Sequence, residues 1–290
     1  MSDDHLGIGF PSNTRHVTAV SGGSWNADYP LAQAVSWPPV IGEPARSADL
    51  EETSTIANLV FDGPREARLV ALINHNLSVD ATYRVQFFDD EAMSAELYDS
   101  DWVKVWEETI PFGQAPWGAP GVWDGFPSEE SRQAFIATAF HVAAQMEMVR
   151  AVRVSVREPG NEDDCFSVGQ IEVADWRQPS VNYSYGLENG FEDGAITVRA
   201  DGGAKYSDLE QQARITEFDL EYIPQDEAYS IFLELERQHG TAYPVFISTA
   251  PHDENRRQLL SFYGCLTDLP RLAEDSYKRH SVRIAIREEL

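Results

Sequence analysis

Ala67-Arg68-Leu69-Val70-Ala71-Leu72-Ile73 is a short stretch whose only polar residue is Arg68. An apolar run of this length is far too short to span a bilayer and is the kind that fills a strand in a sandwich core. Upstream, Ile56, Leu59, Val60 and Phe61 lead into Asp62-Gly63-Pro64, a combination that reads as a turn. Downstream, residues 82–88 alternate, with Tyr83, Val85 and Phe87 on one face and Arg84 and Gln86 on the other. Residues 149–156 alternate again, Val152, Val154 and Val156 facing in and Arg153 and Ser155 facing out, and Val168, Ile171 and Val173 continue the pattern. Short strands punctuated by Gly, Pro and Asp predict an antiparallel β-sandwich over residues 46–175.

Residues 1–45 lack period and are rich in Gly, Pro and Ser, yet they carry Trp25, Tyr29 and Trp37. A free tail seldom holds so many aromatic rings, so this segment reads as an extended arm packed on something, with one or two edge strands. Residues 128–148 allow two readings. Phe135, Ala139, Val142 and Met146 fit a helix opened near Ser128 and Glu130, and residues 135–142 equally fit a strand crossing the sandwich. Residues 111–127 form a long loop holding Phe112, Trp117, Trp123 and Phe126.

The pattern resets near Trp176-Arg177-Gln178-Pro179, where a second unit, 176–290, begins. It opens with a hairpin around Asp201-Gly202-Gly203. In 214–222, Phe218, Leu220 and Tyr222 share a face and Ile215 lies apart. A helix over about 226–239 follows, with Asp226 as its cap and His239-Gly240 as its end. Strands at 243–248, 259–266 and 281–287 complete it, with Val282, Ile284 and Ile286 inward.

The chain has 22 basic and 48 acidic residues, a formal charge of −26. Without a basic footprint to displace counterions, sequence-independent nucleic-acid binding is excluded, and so is docking on an anionic membrane. The basic residues are almost all Arg, with Lys only at 104, 205 and 278. The planar Arg fork suits carboxylate pairing at subunit contacts. Cys165 and Cys265 match no metal-binding spacing and read as reduced, buried thiols. The first ten residues lack the apolar segment of a secretory signal, which points to a soluble, unexported chain.

No nucleophile, phosphate-loop or dinucleotide motif occurs, so the expectation is that this is not an enzyme, with no catalytic residue, cofactor or bound metal. Acidic runs such as Asp89-Asp90-Glu91, Glu107-Glu108 and Asp163-Asp164 place neighbouring carboxylates on opposite strand faces, which is unsuited to glycosidic hydrolysis. Asp89–Glu91 and 161–164 offer oxygen atoms to calcium, but neither follows a calcium-loop pattern, and both read as solvated turns. His75, between Asn74 and Asn76 at the end of the apolar strand, stands out as a site residue or a hydrogen-bonded structural histidine. Trp117, Trp123, Phe112 and Phe126 are candidate glycan or partner contacts, since loop aromatics stack on sugars or bury in a neighbouring subunit.

The run from Ala67 to Ser78 followed by Tyr83-Arg84-Val85-Gln86-Phe87-Phe88-Asp89-Asp90 resembles discoidin-type (jelly-roll) sandwich domains in tail proteins of long-tailed bacteriophages. Residues 149–156, then Asn161 and Phe166-Ser167-Val168-Gly169-Gln170-Ile171, are similar to the closing strands of those domains, with Gln170 where they carry an Arg. Tyr185-Gly186, Arg199-Ala200-Asp201-Gly202-Gly203, Gly240, Pro244 and Tyr263-Gly264 resemble the C-terminal part of the same tail proteins. The resemblance covers roughly residues 45–290.

It implies a mainly β chain, in which a discoidin-like sandwich precedes a smaller β-rich α+β, tail-tube-like domain with one helix. In well-known distal-tail proteins the order is reversed. It further implies a distal-tail or minor-tail protein at the virion's tail tip, self-assembling into a ring, hexameric or trimeric. Such a ring joins the tail tube protein to tip, hub or fibre proteins, without nucleic acid or membrane insertion. Inter-subunit contacts are expected in residues 1–45 and around the 226–240 helix. The alternative reading is a carbohydrate-binding module touching host-surface glycans.

Overall fold

The computed structural model describes residues 5–108, 125–126, 128–133, 135–199, 202–203, 205–208, 210–253 and 255–290. The chain is mainly β. Its strands are β1 (Gly7–Ser12), β2 (Val17–Ser21), β3 (Ala45–Arg46), β4 (Ile56–His75), β5 (Thr82–Phe88), β6 (Glu96–Asp99) and β7 (Val103–Lys104). They continue with β8 (Thr138–Arg157), β9 (Ser167–Arg177), β10 (Glu188–Glu192), β11 (Ile196–Arg199), β12 (Lys205–Asp208) and β13 (Ala213–Pro224). The last four are β14 (Val245–Ser248), β15 (Ser261–Leu266), β16 (Ala273–Ser276) and β17 (Arg279–Glu288). One antiparallel sheet runs in the order β10-β13-β17-β15-β14-β1-β9-β4-β8-β5-β6, and β11 and β12 form a separate hairpin. No helix among the described residues is long and apolar enough to cross a membrane.

The apolar run that begins at Ala67 lies in β4 and is covered on both faces. Val70 and Leu72 enter a core with Leu59, Phe61, Tyr83, Val85, Phe87, Val152, Val154 and Val156. Leu69, Ala71 and Ile73 face a different layer, with Phe140, Trp176, Phe246 and Tyr263. Both halves of β4 supply the first core, so this long strand passes from one layer of the sandwich to the other, as strands do at bulged corners. The expected turn at Asp62-Gly63-Pro64 is not there: the strand runs through it. Pairing with β8 slips from Val60–Ala151 to Arg65–Val149, so the extra residues are absorbed as a bulge, where a proline lacking an N–H is tolerated.

The stretch with two readings resolves as strand. β8 pairs with both β4 and β5, and among the described residues just before it Glu129–Gln133 is helical. Of the edge strands expected within 1–45, β2 is one, paired with β4 alone among the described strands, but β1 is not. β1 is a central strand, paired with β14 through Ile8–Ile247 and with β9 through Gly9–Trp176. Leu6, Ile8 and Phe10 are buried in a core made otherwise by the C-terminal part of the chain, including Phe218, Leu220, Phe232, Val245, Val282, Ile284 and Ile286. Gly7 and Gly9 are needed there. A Cβ on Gly7 would stand 1.8 Å from the Trp176 ring, and one on Gly9 2.4 Å from Leu69.

Within β13, Phe218 and Leu220 are buried but Tyr222 is not. The ladder to β17 shifts between Leu220 and Ile223, and Tyr222 takes φ +61°, which turns its ring to solvent and sends Ile223 inward. Residues 225–238 are helical, with a π-type stretch at Ala228–Leu233. Pro224 occupies the cap position, so Asp226 lies in the first turn rather than capping it; its charge still suits the helix N-terminus. Gly240 ends the helix at φ +55°, its N–H donating to the Glu236 carbonyl at 3.0 Å. Cys165 and Cys265 are free and half-buried.

Candidate functional site

At one end of the sandwich, loops from separate parts of the chain enclose a cleft of about 730 Å³. Its walls come from the end of β4 and the segment after it (Asn74 to Val79), Trp106 beyond β7, Glu129 and Arg132 on the short helix, and Phe135 to Ala137 before β8. Gly160 to Asp163 between β8 and β9 and Gln211 before β13 close it.

Buried polar anchors fix these loops. Glu158, 5% exposed, accepts the Ser78 N–H at 2.7 Å, the Ser78 hydroxyl at 2.6 Å and the Gly160 N–H at 3.0 Å. Asn76 Nδ2 donates to Asp163 Oδ2 and to the Cys165 carbonyl, both at 2.9 Å, and Asn76 Oδ1 accepts the Ser167 N–H at 2.8 Å. Asn161 Nδ2 donates to the Cys165 carbonyl at 2.9 Å. Trp106 Nε1 donates to the Leu77 carbonyl at 3.0 Å. The two asparagine amides are thus consumed in shaping the walls.

His75, 7% exposed, lies on the cleft wall edge-on to Trp106, ring centroids 6.0 Å apart. Burial pushes its pKa down to about 3, so the imidazole is neutral. Nδ1 accepts the Leu77 N–H at 3.2 Å, which places the single ring proton on Nε2. That buried Nε2–H has no partner. Arg132 lies over the other ring, its guanidinium 5.5 Å from the Trp106 centroid, and its buried Nε–H also lacks a partner. The cleft lining therefore includes the Phe135 ring, Arg132 and the carboxylates of Glu129, Glu162 and Asp163, while Trp106, 4% exposed, and His75 contribute buried side chains.

Of the residues singled out in the sequence, His75 and the 161–163 turn meet here. Phe126 is buried in the sandwich core, 9% exposed. Phe112, Trp117 and Trp123 lie outside the described residues. Asp90 accepts the Ser94 and Ala95 N–H groups, each at 2.9 Å, and Glu91 pairs with Arg150, so that acidic run is engaged in its own turn and a neighbouring strand. Among the described residues no group of three or more His, Cys, Asp or Glu side chains is placed to hold a metal ion. Trp106, Arg132 and Phe135 were not legible as site residues: they come from separate segments with no shared motif, and only the fold brings them together.

No family model matches the sequence, and no curated protein matches it. Among solved structures, the chain is similar to CpGH89CBM32-6 produced by Clostridium perfringens, with 10% identity over 54% of this chain and 92% of that one, at a TM-score of 0.32. It is similar to CBM32-1 from a family 31 glycoside hydrolase of the same organism, with 13% identity over 56% of this chain and 99% of that one, at 0.31. A third likeness is to reduced XRCC1, solved bound to the DNA pol beta catalytic domain, with 13% identity over 57% and 99% of the two chains, at 0.33.

Proposed function

We propose that this protein binds carbohydrate in the cleft at the loop end of the sandwich. One observation carries the reading: a cleft of about 730 Å³ sets the Phe135 ring beside Arg132 and the carboxylates of Glu129, Glu162 and Asp163, on loops tied together by hydrogen bonds. Sugars present apolar C–H faces and hydroxyls that both donate and accept, and a mixed wall of this kind answers both. A glycan array, followed by ligand-observed NMR on the retained glycans, tests it. Binding weakened by Phe135→Ala supports the cleft as the site. Retention of no glycan on the array overturns the reading.

A second reading is a self-assembling component of a bacteriophage tail tip, in contact with tube and hub or fibre proteins. It is supported by the sequence resemblance and by the β11–β12 hairpin. Ile196, Val198 and Tyr206 share one face of that hairpin and are 60%, 61% and 66% exposed. Apolar faces presented this way suit a repeated contact between copies. Sedimentation velocity on the full chain, with and without the hairpin, tests self-association. Co-migration with virions in infected-cell lysate tests the location. A chain recovered only as a free 32.5 kDa species would overturn this second reading.

A further inference from the structure

We infer that the β11–β12 hairpin of one copy of this chain docks on a second copy, in the groove between the end of the 225–238 helix and residues 268–271. The inference rests on the self-assembly reading and deepens it by naming both sides of the contact. The hairpin extends the loop that joins β10 to β13, so it leaves the main sheet at its edge. Its ladder sets Val198 opposite Tyr206 and Ile196 opposite Asp208, which puts the three apolar side chains on one face. All three are exposed and belong to none of the chain's three apolar cores. A two-stranded hairpin is marginal in water unless a face is covered, so this one calls for a partner surface.

Charge identifies the occupant. The reverse face of the hairpin carries Arg199 directly opposite Lys205, both exposed, and no carboxylate among the described residues is ion-paired with either. Like charges opposed across a ladder are unfavourable by themselves and become favourable once carboxylates of a partner stand against them. Two copies at a formal charge of −26 repel at long range, so a contact between them requires basic groups set at the interface, which the hairpin supplies. The answering surface lies elsewhere on the same chain. A groove of about 710 Å³ is lined by Glu236 and Thr241 at the end of the helix and by Asp268, Leu269, Pro270 and Arg271, two carboxylates against one guanidinium. Leu269 is 56% exposed, and Leu233, one helical turn before Glu236, is 46% exposed. A hairpin seated in a groove meets a wall on each face, so its apolar and basic faces find apolar and acidic groups there. Because the two surfaces are different parts of one chain, the contact is heterologous, the kind from which rings are built.

The test is sedimentation velocity on the full chain and three variants, from micromolar to millimolar concentration, with circular dichroism to establish that each variant is folded. The expected result is a parent that self-associates and a Val198→Ser, Tyr206→Ser variant that does so about tenfold or more weakly, at an unchanged melting temperature, since both side chains are exposed. Reversing the hairpin, Arg199→Glu with Lys205→Glu, and reversing the groove, Glu236→Gln with Asp268→Lys, should each weaken association by a similar factor. An equimolar mixture of the two reversed chains should recover it, because each hairpin then faces a groove of opposite charge. A variant damaged in its fold gives no such recovery, so the mixture separates loss of the contact from loss of structure. Association left unchanged by reversing the hairpin overturns this inference and leaves self-assembly standing. The same holds for association lost in both folded variants and not recovered on mixing. A parent that stays monomeric over the whole range removes self-assembly and this contact together.

Discussion

Glu172 on β9 is 1% exposed, and the Tyr263 hydroxyl donates to its Oε2 at 3.2 Å. Desolvation raises its pKa from the ordinary 4.5 to about 7. A carboxyl held higher in the folded chain than in the unfolded one binds more protons when folded. Stability therefore falls as pH rises through the window from 4.5 to about 7, and it is unaffected by this group below that window. The full cost, reached above about pH 8, is about 3 kcal/mol. Glu172→Gln keeps the shape and an acceptor for Tyr263 but cannot ionise. Urea unfolding followed by Trp fluorescence, at half-unit steps from pH 4.5 to 8.5, compares the two proteins. The variant should match the parent within about 0.5 kcal/mol at the acid end and exceed it by about 3 kcal/mol at the alkaline end. Titrations elsewhere cancel in the difference. A difference that stays flat with pH, or a variant less stable at pH 8.5, would refute the reasoning.

Arg214→Met should cost about 3–5 kcal/mol, since it leaves Glu288 buried and uncompensated, both partners being no more than 3% exposed. It also removes donors to the Ile136, Gln258 and Ser261 carbonyls, and equilibrium unfolding reads the loss. Gly7→Ala places a methyl against the Trp176 ring and should lower stability by about 1–3 kcal/mol, visible as a lower melting temperature. Tyr222→Gly should raise stability by up to about 1 kcal/mol, because the exposed Tyr222 holds φ +61°, which glycine adopts freely; calorimetry is the check.

The parts of the fold that the sequence announces are those where a side-chain period persists. The apolar run in β4, the alternation of 82–88 and 149–156 and the inward Val282, Ile284 and Ile286 all become buried positions. Where a bulge intervenes, the period changes phase and the reading fails. Asp62-Gly63-Pro64 carries every local sign of a turn but is held extended by ladders on both sides, and Tyr222 is turned outward by a residue inserted against β17. The cleft is legible only at His75 and at the 161–163 turn, where chemistry-bearing residues cluster in sequence. Arg132 and Trp106 meet His75 through long-range pairing of strands, which leaves no local trace.

The deepest revision concerns residues 1–45, and it changes what a truncation must do. Read as an arm with edge strands, this segment should be removable with the sandwich left folded. In the structure β1 joins β9 to β14 and is the strand through which the main sheet passes from the sandwich to the C-terminal strands. Leu6, Ile8 and Phe10 are at most 3% exposed in the C-terminal core. Burying side chains of this size stabilises by about 1.5–3 kcal/mol each, so their loss alone removes about 5–9 kcal/mol. That is comparable with the whole stability of an ordinary domain, before the unpaired N–H and C=O groups of β9 and β14 are counted. A chain starting at residue 46 should therefore lack a cooperatively folded C-terminal half. Limited proteolysis should cut it within 180–290, and the upfield methyl resonances expected of Ile247 and Ile284 should vanish from its NMR spectrum. A truncated chain that keeps a single sharp melt and resists protease over 180–290 would show that β1 is dispensable and that the two halves are joined by something other than this strand.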